Sequence, residues 1–232
     1  MISLDLIGGG GFMVGSNLVT KKALLTAGFT PGRAGKKICR ITPHHAAGNL
    51  TVERIGQVLE SSKISATYGI QDENIAQYVS EENRPWTSSS AANDNEAITV
   101  EIANNCSVAD GDKLGWPISD KSLDTFIKLA VDIMIRYDFP PLVVGENLTW
   151  HSMFSATVCP GPYLMSKMQH IADTCNSIVF PVPAPSKTLY GVVKQVVALS
   201  SKEQAEKYTS QLNTQSSDLN KEFYKVIEIV RD

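Results

Sequence analysis

His44, His151 and Cys159 each sit in a short segment that reads as a metal-ligand position near the end of a strand or turn. Two imidazoles and a thiolate leave the fourth position of a tetrahedral zinc open for water, which is the ligand set of a hydrolytic rather than a structural site. The segments are Ile41-Thr-Pro-His-His-Ala-Ala-Gly48 and Leu148-Thr-Trp-His151, the latter running on to Cys159-Pro-Gly161, with Thr99-Val-Glu-Ile-Ala103 between them. Taken singly, each residue has a plainer reading, since free cysteine is among the most buried residue types and four histidines and four cysteines place some in any core. Their combination in one small domain is what points to a zinc hydrolase.

Zinc held this way lowers the pKa of its bound water from about 15.7 towards 7 and polarises a carbonyl. Hydrolysis of an amide also needs a group that takes the water's proton and hands it to the departing amine, a task for a nearby carboxylate. Glu101 is the candidate. It lies in the β-prone run Ala97-Ile-Thr-Val-Glu-Ile-Ala103, where alternation puts Thr99, Glu101 and Ala103 on one face and Ile98, Val100 and Ile102 on the other. A carboxylate in such a run is costly to bury unless it is paired or functional. Glu53 reads as helix surface, and Glu81, Glu82 and Glu96 read as solvated charge in loop sequence. A competing chemistry uses Cys159 as nucleophile and His151 as base. Against it, Cys159-Pro160-Gly161 reads as a turn holding a ligand, with no helix N-terminus to activate the thiol.

At 232 residues the chain accommodates one core domain and a small appendage. Its 43% apolar and 19% charged residues are ordinary for a globular protein. A net charge of −3, with no basic stripe interleaved with aromatics, argues against a nucleic-acid partner. The four cysteines show no tight pairing pattern and read as thiols of a reducing cytosol. Met1 to Gly11 lacks the cationic start and unbroken apolar stretch of a signal peptide, and no segment reaches the roughly 18 apolar residues of a membrane span. The Gly8 to Gly11 run has no following Lys-Ser/Thr and reads as a flexible loop.

The elements that must position the candidate residues follow from periodicity and turn chemistry. Ile38 to Thr42 reads as a strand delivering His44 at its end, and Thr51 to Leu59 as a short amphipathic helix. Ala66 to Ile70 and Ile75 to Val79 read as a hairpin around Gln71-Asp-Glu-Asn74. Arg84 to Asn95 is polar and reads as a surface loop. Ser119 to Tyr137 is the longest predicted helix, capped by Ser119 or Asp120, with Leu123, Phe126, Ile127, Ala130, Val131, Met134 and Ile135 as its apolar stripe. A loop through Pro140 and Pro141 leads to His151, and a further helix is expected over 162–176. This order gives an α/β class, a central mixed β-sheet flanked by helices. Residues 1–180 form the catalytic domain, 181–186 a Pro-rich linker, and 187–232 a small C-terminal βαβ-like segment with strands at 189–198 and 223–230 around a helix at 201–213.

Six stretches in order carry a resemblance to a known family: Arg40-Ile-Thr-Pro-His-His-Ala-Ala-Gly48, Tyr68-Gly-Ile-Gln71, Glu81-Glu-Asn-Arg-Pro-Trp86, Ser88-Ser-Ser-Ala-Ala-Asn-Asp-Asn95, Ile98-Thr-Val-Glu-Ile-Ala-Asn104, and Leu148-Thr-Trp-His151 with Cys159-Pro-Gly-Pro-Tyr-Leu164. Over about residues 31–176 the chain resembles the zinc-dependent N-acetylmuramoyl-L-alanine amidases of the type 2 class, the superfamily that includes the peptidoglycan recognition proteins. It looks closest to the amidase domains of phage and prophage endolysins. The resemblance implies a peptidoglycan hydrolase that cleaves the bond between N-acetylmuramic acid and L-alanine, with Zn2+ on His44, His151 and Cys159 and with Glu101 as the catalytic carboxylate. It implies action on the cell wall after release from the cytoplasm. Thr157 stands where the family often carries a lysine that stabilises the oxyanion, and a neutral hydroxyl there gives weaker stabilisation. Trp86 is expected to line the substrate groove, and Asn93 and Asn95 to contact the glycopeptide. His45 is not a family ligand position and reads as exposed or structural. The segment from Tyr190 to Tyr208 is similar to half of a sporulation-related, glycan-binding repeat; an extra layer or a dimerisation element is the alternative. A non-catalytic peptidoglycan-binding module is the remaining alternative for the whole chain, disfavoured because all three ligands and the glutamate are present.

Overall fold

The computed structural model describes residues 15 to 181. The chain divides into two units, Met1–Pro181 and Val182–Asp232, and the described residues belong to the first. The glycine run at the N-terminus and the expected βαβ-like segment lie outside them.

Two short strands, β1 (Lys21–Lys22) and β2 (Phe29–Thr30), precede β3 (Arg40–His45), which starts later than the sequence suggested and carries both histidines inside the strand. Helix α1 (Val52–Ser61) begins where the Thr51 hydroxyl accepts the Arg54 amide, and it buries Val52, Ile55 and Leu59 at helical spacing. Strands β4 (Tyr68–Gln71) and β5 (Asn74–Gln77) form the expected hairpin through Asp72 and Glu73. The polar stretch expected to be a surface loop instead contains β6 (Arg84–Pro85) and helix α2 (Ala91–Glu96). Composition misled here because the polar side chains satisfy one another in the interior: Asn93 and Asp94 are only 1% and 3% exposed.

Strand β7 (Ala97–Ile102) follows directly. It pairs in parallel with β3 on one side and β4 on the other, within a five-stranded mixed sheet ordered β1-β5-β4-β7-β3; β2 and β6 make a separate antiparallel pair. Helix α3 (Gly111–Leu114) leads to α4 (Asp120–Arg136), capped by the Ser119 hydroxyl, and α5 (Gly161–Val179) closes the described chain. In α4, Leu129 and Ile133 join the buried stripe, whereas Ile135, expected in it, is 64% exposed. At helical spacing these two fall nearer the centre of the face that meets α5 and the sheet.

The sheet is sandwiched. Ile41, Tyr68, Ile70, Ile98, Val100 and Ile102 face one way into a single apolar cluster with α4 and α5. The opposite face meets α1 through a smaller cluster that includes Val52, Ile55, Leu59 and Tyr78. Gly69 in β4 is required there, because a Cβ would stand 2.2 Å from the Tyr78 hydroxyl. That second face is also where the polar candidate residues project.

Candidate metal centre

Parallel pairing sets the centre. β3 and β7 are in register with His44 opposite Glu101 and Thr42 opposite Thr99. On the outer side of β3, the Thr149 amide donates to the Ile41 carbonyl and the Ile41 amide to the Asn147 carbonyl, so residues 147–149 run alongside as a further extended segment. Trp150 stays extended (φ −149°, ψ 161°) before a single 3-10 turn over His151–Met153. Strand alternation therefore sends Thr42 and His44, Thr99 and Glu101, and Thr149 and His151 to one face. Cys159 arrives from the next turn, at the entrance to α5.

The three expected ligands converge: one ligand atom from each of His44, His151 and Cys159 lies within 4.8 Å of the others. Cys159 Sγ is 3.5 Å from His44 Nδ1, and the two imidazole centroids are 4.7 Å apart. Glu101 Oε1 is 3.9 Å from His44 Nδ1. His44 and His151 each keep a buried Nε2 with no hydrogen-bond partner.

Burial dominates the electrostatics of these donors. Burial, with His151 and His45 nearby, lowers the His44 pKa well below the ordinary imidazole value. Burial also lowers that of His151. Both rings are thus neutral, with lone pairs available. Burial and the neighbouring Glu101 push the Cys159 thiol up, against one lowering contact from the His45 backbone. Burial alone raises Glu101 to about 8. Two neutral imidazoles beside two acids that lack a counter-charge fit a divalent cation, which would let both acids ionise. The donor set N, N, S is the one zinc favours.

The other expected residues are dispersed. Thr157 is half-buried, and its Oγ1 accepts the Cys159 amide at 3.2 Å, bracing the turn that presents the thiol. Asn93, expected to contact substrate, is buried, and its amide bonds to Thr42, Ser88 and Thr149 inside the protein. Nothing of it is left to meet a ligand. Asn95 is half-buried on α2, its carbonyl accepting from Arg33. Trp86 is 43% exposed and its indole donates to Thr30. Its backbone pairs with Ser65, which lies ahead of β4 and four residues before Gly69, the partner of Glu101. His45 is buried, stacked on Trp116 at 4.4 Å, and accepts the Ala47 amide.

Three features escaped sequence reasoning. Trp116 supports the centre, packing on His45 and crowding Gly161 so closely that a Cβ there would lie 2.8 Å from its own. Helix α5, expected from residue 162, begins at Gly161, so Cys159 does precede a helix N-terminus, contrary to the reading of Cys159-Pro160-Gly161 as a turn alone. Glu81, read as a solvated loop residue, is fully buried. It accepts two bonds from Arg136 (2.6 and 2.8 Å), one from Tyr68 (2.7 Å) and one from Tyr137 (2.8 Å).

A mixed sheet with helices on both faces and a His-His-Cys cluster at the strand ends defines an amidase-like α/β domain. The family model described as N-acetylmuramoyl-L-alanine amidase matches residues 34–162, more than half of the chain, and the protein belongs to that family. No curated protein matches the sequence significantly. Among solved structures, a mutant of PlyL is 18% identical with TM-score 0.51, covering 68% of this chain and 98% of its own. A mutant endolysin from Bacillus subtilis is 20% identical with TM-score 0.51, covering 68% and 99%. The Staphylococcus aureus hydrolase AmiA is 12% identical with TM-score 0.53, covering 70% and 86%. At these identities the likeness is one of fold. Among the described residues, no helix is long and apolar enough to cross a membrane.

Proposed function

We propose that the protein is a zinc-dependent amidase that cleaves the bond between N-acetylmuramic acid and the L-alanine of the stem peptide, and that it acts as an endolysin on the cell wall. The observation that carries this reading is the convergence of His44, His151 and Cys159 beside the Glu101 carboxylate, which has no Lys or Arg ion-pair partner among the described residues. His44, His151 and Cys159 would hold the ion. Zinc, when bound, supplies Lewis-acid polarisation of the lactyl carbonyl and acidifies a water.

Glu101 supplies the proton transfers. Its carboxylate takes a proton from the attacking water as the new C–O bond forms, then gives it to the alanine nitrogen as the C–N bond breaks. The products are a glycan bearing a free lactyl carboxylate and a stem peptide with a free N-terminal alanine. Thr157 can donate its hydroxyl hydrogen to the developing oxyanion while its oxygen still accepts the Cys159 amide. Trp86 and Asn95 are the remaining candidates for contacts to distal parts of the glycopeptide. The segment 187–232 is proposed as a wall-binding module; deleting it and measuring pelleting with cell walls tests that, and unchanged pelleting would exclude it.

One observation favours a second reading: the short Cys159–His44 approach resembles a nucleophile and its base, with His44 rather than the expected His151 in the base position. The elevated thiol pKa opposes it. Turbidity loss of purified Gram-positive walls, with and without a zinc chelator and with assay of new N-terminal alanine, separates the readings. Chelator-sensitive release supports the zinc amidase. Chelator-resistant release means the cysteine mechanism, and wall binding without release means a recognition module.

A further inference from the structure

A closed ring of hydrogen bonds lies one pleat below the metal centre. The Asn93 amide donates to Thr42 Oγ1 at 3.1 Å, the Thr42 and Thr149 hydroxyls are 2.8 Å apart, and Thr149 Oγ1 donates to Asn93 Oδ1 at 3.4 Å. Only one proton arrangement satisfies all three: Asn93 to Thr42, Thr42 to Thr149, Thr149 back to Asn93. The second Asn93 amide hydrogen goes to Ser88 Oγ at 3.3 Å, and Ser88 donates to Asp94 at 2.6 Å. Asp94 in turn accepts the Thr87 amide, and the Thr87 hydroxyl meets Thr99 at 2.8 Å.

The threonines at the ends of this network have a common address. Thr42 is two residues before His44, Thr149 two before His151, and Thr99 two before Glu101, all on the same sheet face. Residues 147–149 join β3 only through the few backbone bonds around Ile41, so the Thr42–Thr149–Asn93 ring is a side-chain lock on the alignment of the two segments that carry histidines. The ring is buried, with Thr42, Asn93 and Thr149 each at most 2% exposed, so water does not compete for it.

We propose that Asn93 is a positioning residue for the metal centre: through Thr42 and Thr149 it fixes the separation of His44 and His151 and thereby sets the affinity for the ion. This rests on the zinc reading above. Groups that orient metal ligands in this way typically change affinity about 10- to 100-fold when removed.

The test is the Zn2+ dissociation constant of the full chain, measured by competition with a chromophoric chelator, alongside the melting temperature of the metal-free protein. Asn93→Ala and the near-isosteric Thr149→Val are expected to weaken zinc about 10- to 100-fold, whereas Thr149→Ser, which keeps the hydroxyl, restores wild-type affinity. Ser65→Ala is the control. It removes a buried bond to the Gly28 carbonyl and the acceptor of the Trp86 amide, both remote from the ligands, and is expected to lower the melting temperature while leaving affinity unchanged. Wild-type affinity in Thr149→Val overturns the inference, as does a loss of affinity in Ser65→Ala that tracks its loss of stability. A wild-type chain that binds no zinc overturns instead the reading on which the inference stands.

Discussion

Glu81 is fully buried and Glu101 keeps 13% of its side chain exposed, and the surroundings of these two glutamates are opposite. Glu81 has four hydrogen bonds from three side chains, including both terminal nitrogens of Arg136, whereas among the described residues Glu101 has only the His44 imidazole, at 3.9 Å. Burial raises the Glu101 pKa to about 8, which a neighbouring cation would lower again. The lesson is that burial of a carboxylate does not mark function; the absence of donors around it does. A charge that is fully paired serves the fold, and one left without donors beside convergent imidazoles is available to chemistry.

That contrast can be broken in several places. Removing zinc with a chelator is expected to abolish amidase activity and lower the melting temperature, with both restored by added zinc; loss of activity without a thermal shift would detach the metal from the fold. Glu101→Gln is expected to cut kcat about 10²- to 10⁴-fold while leaving the metal-free melting temperature unchanged, because a neutral amide replaces a side chain that has no paired charge to lose; full activity would sink its role. Arg136→Met should do the reverse, costing about 3–5 kcal/mol in denaturant unfolding by stranding Glu81, with activity per folded molecule retained. A kcat loss there would mean that the two glutamates are coupled. The smallest effect is expected of Trp86→Ala, which should raise KM by no more than about tenfold with kcat unchanged, consistent with a contact remote from the reacting bond.

The two glutamates also mark where sequence reasoning succeeds. Glu101 was legible because strand alternation is local: Ile98, Val100 and Ile102 declare the core face, and the residue between them is forced to the other. The hairpin at Asp72 and Glu73, and helix α4 with its Ser119 cap, were legible for the same reason. Glu81 was not, because its partners Arg136 and Tyr137 lie more than fifty residues away and nothing local announces them. Arg33 is likewise buried on the carbonyls of Asp94, Asn95 and Ala97 by equally distant pairing. Asn93 shows the complementary error. Its polarity was read as an offer to a ligand, while its partners Thr42 and Thr149 are themselves polar residues in β-prone sequence that composition counts as surface.

The contact between Cys159 and His44 spans 115 positions of the chain, and among the described residues every cysteine is free. An ion bridging those two side chains would close a loop of that length in the denatured chain as well as in the folded one wherever it stayed bound. In the chain-entropy picture a covalent link across about 100 residues is worth roughly 4.7 kcal/mol. The centre would then act as the cross-link the described domain otherwise lacks, tying β3 to the turn that enters α5.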